Sequence, residues 1–478
     1  MSSLVTKYCH QFDVCLVCAG TQTIDPPKNL SVAWYYPTTW NYSNIAPQYA
    51  ANQNCSWIFN IPKGMFVSFS LTANTASSTT KLTMTDSLGY VSTFSSVTME
   101  TYYLVAPSFR VDLQSTQVGT FGMVVQWFTI DPNATSNAVT YQVHSASSPL
   151  ILYGGNFDLP TVIQADTLVS LLPFWGNILL TSFMRITQVY DGPSIDSQNI
   201  GNLYNMASSG QNIKSSGKTL TIFSLYPGIG AAGNPVILQD YSDVKQFKSY
   251  KAIACIVPNM CELSLDATQG GPVAAVRLSR FYVKNIAMPS TNTLSVYTNY
   301  VATANKLSDY TSATAKTNIP QLFNGKLTTF VLDQGTATVV FSGDSIDSKW
   351  STAFEGRRGF FTSPNYATNS TEQSFNDQIS SSTTFDISYT IDGSSIVGNS
   401  VLNVMIKSNQ KAVIDNSYST KNYPGGLVKA TGDFISVNYQ SQGSASVGPL
   451  ITFRFDKHNS AMTHGFLLAI AVSIWRLF

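Results

Sequence analysis

Six cysteines and four histidines are the side chains with the most chemistry to offer in these 478 residues. Cys9, Cys15 and Cys18 crowd the N-terminus, Cys55 stands alone, and Cys255 and Cys261 lie close together. A zinc site at that last pair would need further Cys or His ligands, and the sequence places none beside it. The cysteines therefore read as disulfides of an oxidising compartment. Parity then bears on where a secretion leader would be cut. Removal after Ala19 leaves Cys55, Cys255 and Cys261, with one thiol unpaired. Removal just before Cys18 lets Cys18–Cys55 and Cys255–Cys261 both form, and this is the preferred expectation. Closing the longer loop is worth roughly 4 kcal/mol and the shorter roughly 2 in the chain-entropy model.

Catalysis finds little support. His10 lies in the leader, His458 and His464 flank the C-terminal tail, and only His144 stands in the body, in a Ser-rich segment. A Ser-His-Asp arrangement would have to use it without a G-x-S-x-G elbow. H-E-x-x-H and phosphate-binding glycine loops do not occur either. A glycosidase needs only two carboxylates, but the 26 acidic residues are thinly spread. The expectation is a chain that is not an enzyme, a secreted hydrolase being the remote alternative. Contact chemistry is better represented. The stretch 277–282, with Arg277, Arg280 and Phe281, and the run Arg357, Arg358, Gly359, Phe360 mix arginine with aromatics as binding hot spots do. Strand residues with snorkelling arginines would give the same pattern.

Charged residues make up 11% of the chain, against roughly 25% in an ordinary soluble domain, so Ser, Thr, Asn, Gln and Tyr must supply the polar surface. A net charge of +1 with no basic run excludes the electrostatic footprint of a nucleic-acid binder. N-x-S/T acceptors at Asn29, Asn41, Asn54, Asn133 and Asn369 point instead to glycans, three of them clustered within 29–54.

The scaffold for these residues repeats. Residues 185–223 read as a strand from Ile186 to Tyr190, a tight turn at Asp191-Gly192, an irregular polar segment, and a half-buried strand from Lys218 to Phe223. Weaker copies start near Leu82, Leu294 and Leu402, which with Ile186 gives steps of 104, 108 and 108 residues. A period near ~100 means whole domains in tandem. The expected fold is all-β, with antiparallel β-sandwich units at 18–130, 151–250, 251–345 and 346–457. Residues 1–17, whose apolar run is short for a signal, read as a residual or mis-assembled leader.

Asn54-Cys55-Ser56-Trp57, Ile61-Pro62-Lys63-Gly64, the segment 82–89 and the ending 119–127 resemble the nematode CUB-like domain proteins. Residues 189–194 and 215–222 are similar to the strand-turn and later strand of the wider CUB family, and 359–366 to its opening. The resemblance implies CUB-like jelly-roll sandwiches in an extracellular recognition or barrier role; many nematode members serve inducible defence against bacteria. CUB domains usually hold two disulfides each, whereas the second and fourth units contain no cysteine, so the units would be divergent. In calcium-binding CUB domains a Tyr-Asp pair ahead of the Asp-Gly turn supplies a ligand. Met184-Arg185 occupies that place, so calcium is disfavoured, no cofactor or metal is expected, and Asp191 is left as a turn former. Asp386 and Asp392-Gly393 keep the family's spacing in the fourth unit, but with the alternation out of phase.

The tail 458–478 carries small residues at 459–461, a polar spacer and 13 apolar-rich residues, too few for the ~20 of a membrane-spanning helix. That order matches a GPI signal with attachment at Asn459 or Ser460. The chain is thus expected at the outer face of the plasma membrane, as a secreted or lipid-anchored glycoprotein. It would bind an extracellular protein or glycan in innate defence. A structural coat component without a defined ligand is the competing expectation.

Overall fold

The computed structural model describes residues 16–18, 20–42, 45–75, 78–132, 136–175, 184–226, 228, 234–253, 255, 261–392, 396–422 and 424–458, with the side chain of 392 left aside. The protein is nearly all β and built from several mainly antiparallel sheets, as the sequence implies. It divides into two compact units, residues 1–143 with 151–238, and 144–150 with 239–478.

In the first unit, one sheet runs Thr21–Ile24, Asn54–Asn60, Ser108–Gln114, Lys81–Thr85, Val91–Phe94. Its partner sheet runs Trp34–Tyr36, Gly119–Thr129, Met65–Asn74, Ser96–Val105. Alternation sends Cys55, Trp57 and Phe59 inward, directly opposite Leu113, Val111 and Phe109 on the neighbouring strand. Burying each such side chain contributes about 1.5–3 kcal/mol. Gly122 lets a strand pass under Trp40, since a Cβ there would lie 2.7 Å from the indole. A second sandwich follows, with one sheet Val139–Val143, Thr161–Ala165, Thr219–Ser224, Thr187–Asp191, Gln198–Asn202. Val139–Val143 therefore joins this sandwich upstream of the expected start at 151, because it pairs in parallel with Thr161–Ala165.

The second unit holds a third sandwich with the sheet Ser249–Ala252, Val273–Leu278, Leu327–Leu332, Leu294–Thr298, Lys306–Tyr310 against Cys261–Asp266, Thr336–Ser342, Phe281–Ala287, Gln321–Phe323. In the first sheet of each of these three sandwiches the opening strand is parallel to its neighbour and the rest alternate. The strands at Leu82, Leu294 and Leu402, and the one just after Ile186, each lie between a hairpin partner and a later strand.

Two expectations are corrected. The fourth region encloses its core with one six-stranded sheet rather than two: Arg358–Thr362, Leu450–Lys457, Phe375–Asp392, Val428–Gln440, Val401–Ser408, Lys411–Tyr418. The 18-residue strand Phe375–Asp392 breaks register between Ser380 and Phe385, and such an irregularity lets a long strand bend across its own core. After Asp191 there is no tight hairpin. The loop 192–197 leads to Gln198–Asn202 and then to a helix, Leu203–Ser209, capped by the Asn202 side chain on the Asn205 N–H at 2.9 Å. Gly192 takes φ 145°, outside the left-handed turn well, and the Ser197 hydroxyl fills the space a Cβ would need.

Candidate functional site

Cys18 is bonded to Cys55 and Cys255 to Cys261, with Cα–Cα distances of 6.0 and 5.2 Å. Cys9 and Cys15 lie outside the described residues, as does most of the segment 1–17. Leu16, within that expected leader, donates its N–H to the Gln48 carbonyl at 2.9 Å. Asn29, Asn41, Asn54 and Asn369 are all exposed, so their amides are open to a glycan. Asn133, and the anchor positions Asn459 and Ser460, fall outside the described residues.

Arg185, which stands where the resemblance would put a calcium ligand, is held by the protein's own side chains. Arg185 is 7% exposed, bonds Glu100 at 2.8 Å, and lies between the rings of Tyr102 and Tyr204, 4.1 and 4.0 Å from their centroids. The Tyr102 hydroxyl also donates to Glu100 at 2.7 Å, and burial raises that phenol's pKa despite the Arg185 charge. Asp191 accepts the Ser216 N–H at 2.9 and 3.0 Å, a loop-closing role. Among the described residues no three His, Cys, Asp or Glu come together as a metal site would need. In the fourth region Asp386 is bonded to Thr431 at 2.9 Å and to His458 at 2.8 Å. Gly393 is outside the described residues. His144 is exposed.

The six expected contact residues separate sharply. Phe281 is fully buried and Phe360 is 4% exposed, both in the core of the third sandwich. Arg357 is fully buried too; its guanidinium donates to the carbonyls of Thr352, Trp350 and Pro320, and burial pulls its pKa down to about 9. These three cannot touch a partner. They follow the alternative of structural strand residues, because an Arg-aromatic run looks the same on a sheet's inner and outer faces. Arg277 is half-buried against the Cys255–Cys261 sulfurs and the rings of Phe281 and Phe341, with its pKa lowered to about 10 by burial. Arg280 is exposed but engaged by Asp377 at 3.0 Å.

Arg358 is left, exposed, on the wall of an open cavity of about 400 Å³. Its other walls include Ser308, Asn318, Ser388, Lys429 and Arg454, none of which the sequence singles out. Strand alternation turns Arg358, Ser388, Lys429 and Arg454 away from the fourth core, but only the register puts them side by side. Gly359 seats this strand, for a Cβ would lie 2.6 Å from the Gln321 amide oxygen and 2.7 Å from the Phe453 ring. Buried Gln321 grips the next peptide, its amide donating to the Phe360 carbonyl at 2.8 Å and accepting the Phe360 N–H at 3.2 Å.

Residues 142–225 and 242–344 match two families described as domains of unknown function, DUF7592 and DUF7591. No curated protein matches. Among solved structures, the CUB1-EGF-CUB2 domain of human MASP-1/3 is similar at 9% identity, over 44% of this chain and 98% of that one, with a TM-score of 0.18. The arabinofuranosyltransferase AftD from Mycobacteria aligns over 91% of this chain and 34% of its own at 7% identity, with a TM-score of 0.11. Superpositions so loose carry no functional argument. Residues 13–131 match the family of the CUB-like domain, and it is to that family that the N-terminal sandwich is similar.

Proposed function

We propose that the chain is an extracellular recognition protein, a row of divergent CUB-like units that binds a protein or glycan and performs no catalysis. The observation that carries this is the match of residues 13–131 to the CUB-like domain. Two disulfides and four exposed sequon asparagines suit an exported glycoprotein. Rigid sandwiches hold loops and outer faces in fixed geometry, which favours contact over turnover. The resemblance to nematode CUB-like proteins extends the reading to a surface role in innate defence against bacteria. The C-terminal sequence extends it to a GPI anchor that would raise local concentration at the membrane.

Expression of the full chain in a secretory host tests each part. The reading expects a glycosidase-sensitive product on the cell surface, release by a phosphatidylinositol-specific phospholipase, and saturable binding of the released protein to bacteria or to an extracellular glycan panel. An unglycosylated cytosolic product would overturn the export reading. A surface protein with no saturable binding would support the coat reading instead.

A further inference from the structure

We infer that the cavity beside Arg358 is a binding site for an acidic saccharide, one carrying carboxylate or sulfate groups; this deepens the recognition reading and rests on it. The cavity is about 400 Å³, within the ~300–1,000 Å³ of ligand sites. Its floor is the outer face of the fourth sheet, where register sets four residues in one row across four strands. Arg358 lies opposite Arg454, Arg454 opposite Ser388, and Ser388 opposite Lys429. Like charges directly opposite each other destabilise a sheet, and the Asp456 carboxylate on Arg454 offsets part of that cost here.

The acids nearby cancel only part of this row, and none of them reaches Arg358. Asp456 is taken by Arg454, and Asp386, bonded to Thr431 and His458, lies in the next row. The Arg358 side chain has no hydrogen-bond or ion-pair partner among the described residues, and its fork suits a carboxylate or sulfate bidentately. The row on the other side is hydroxylic, with Thr452 opposite Thr390 and their side chains 2.6 Å apart. Ser308 and Asn318 complete the wall from the third sandwich. Cations flanked by neutral donors and acceptors fit a polyhydroxylated anion better than a lipid surface, which would need a protruding basic or apolar patch.

The test uses the full secreted chain and four probes: a heparin fragment, a polygalacturonate oligomer, neutral dextran, and vesicles of phosphatidylserine in phosphatidylcholine. The proposal expects saturable, salt-sensitive binding of at least one acidic saccharide over dextran. It also expects at least tenfold weaker binding in R358E/K429E, a smaller loss in R358Q/K429Q, and no change in K411E, an exposed cation elsewhere. Equal affinity in wild type and the properly folded double variants would overturn the site, as would binding to vesicles alone. Saturable binding to bacteria that survives both double variants would leave the recognition reading standing while removing this site.

Discussion

Arg185 shows what a buried cation does when it has partners of the right shape. Two tyrosine rings and Glu100 replace its hydration. Removing one member of such a pair typically costs about 3–5 kcal/mol. Arg185→Ala should approach the low end of that range, because Glu100 is partly exposed, and Arg185→Lys should recover little, since a point charge cannot stack flat on both rings. Urea denaturation of the two variants measures this. Asp377 gives a pH dependence. Burial raises its carboxyl to about 6, outweighing the pull of Arg280 in the other direction. The folded state thus holds this proton more tightly than the unfolded chain. Its contribution is fully present below about pH 4 and is lost as pH rises through 6, a change of at most about 3 kcal/mol. Measured against Asp377→Asn, the wild-type protein should lose stability between about pH 4 and 6 and hold a constant difference above that. A difference that instead grew more favourable toward neutral pH would contradict it.

At the scale of elements, the strand Arg358–Thr362 is shared between two cores. Phe360 enters the third core and Phe361 the fourth, while Arg358 faces outward. That division depends on Gly359, where any side chain collides with Gln321 and Phe453. Gly359→Ala should cost about 1–3 kcal/mol by overpacking and shift the melting temperature down in calorimetry. The short helix Leu203–Ser209 depends on its cap, so Asn202→Ala should cost about 1 kcal/mol. Turn residues and alternation foretold the strands Thr187–Asp191 and Thr219–Ser224 to within one residue at each end. They missed the helix, whose sequence has only 7 residues and one turn's worth of apolar spacing.

Across the whole molecule, stability is spread over several separate cores, and the two disulfides staple loops of different length. Replacing Cys18 and Cys55 by serine should cost roughly 4 kcal/mol, and replacing Cys255 and Cys261 roughly 2. Denaturant titrations of the two double variants should fall in that order. The sequence alone determined the all-β class, because alternation and turn residues are local properties, and parity favoured the pairs Cys18–Cys55 and Cys255–Cys261 that the structure holds. Tertiary structure decided which arginines meet solvent. Arg357 and Arg358 are adjacent in the chain, yet one is sealed among carbonyls and the other opens onto a cavity. Strand register decided the rest, since facing partners such as Arg454, Ser388 and Lys429 come from strands far apart in sequence, and no local pattern encodes which residues end up opposite each other.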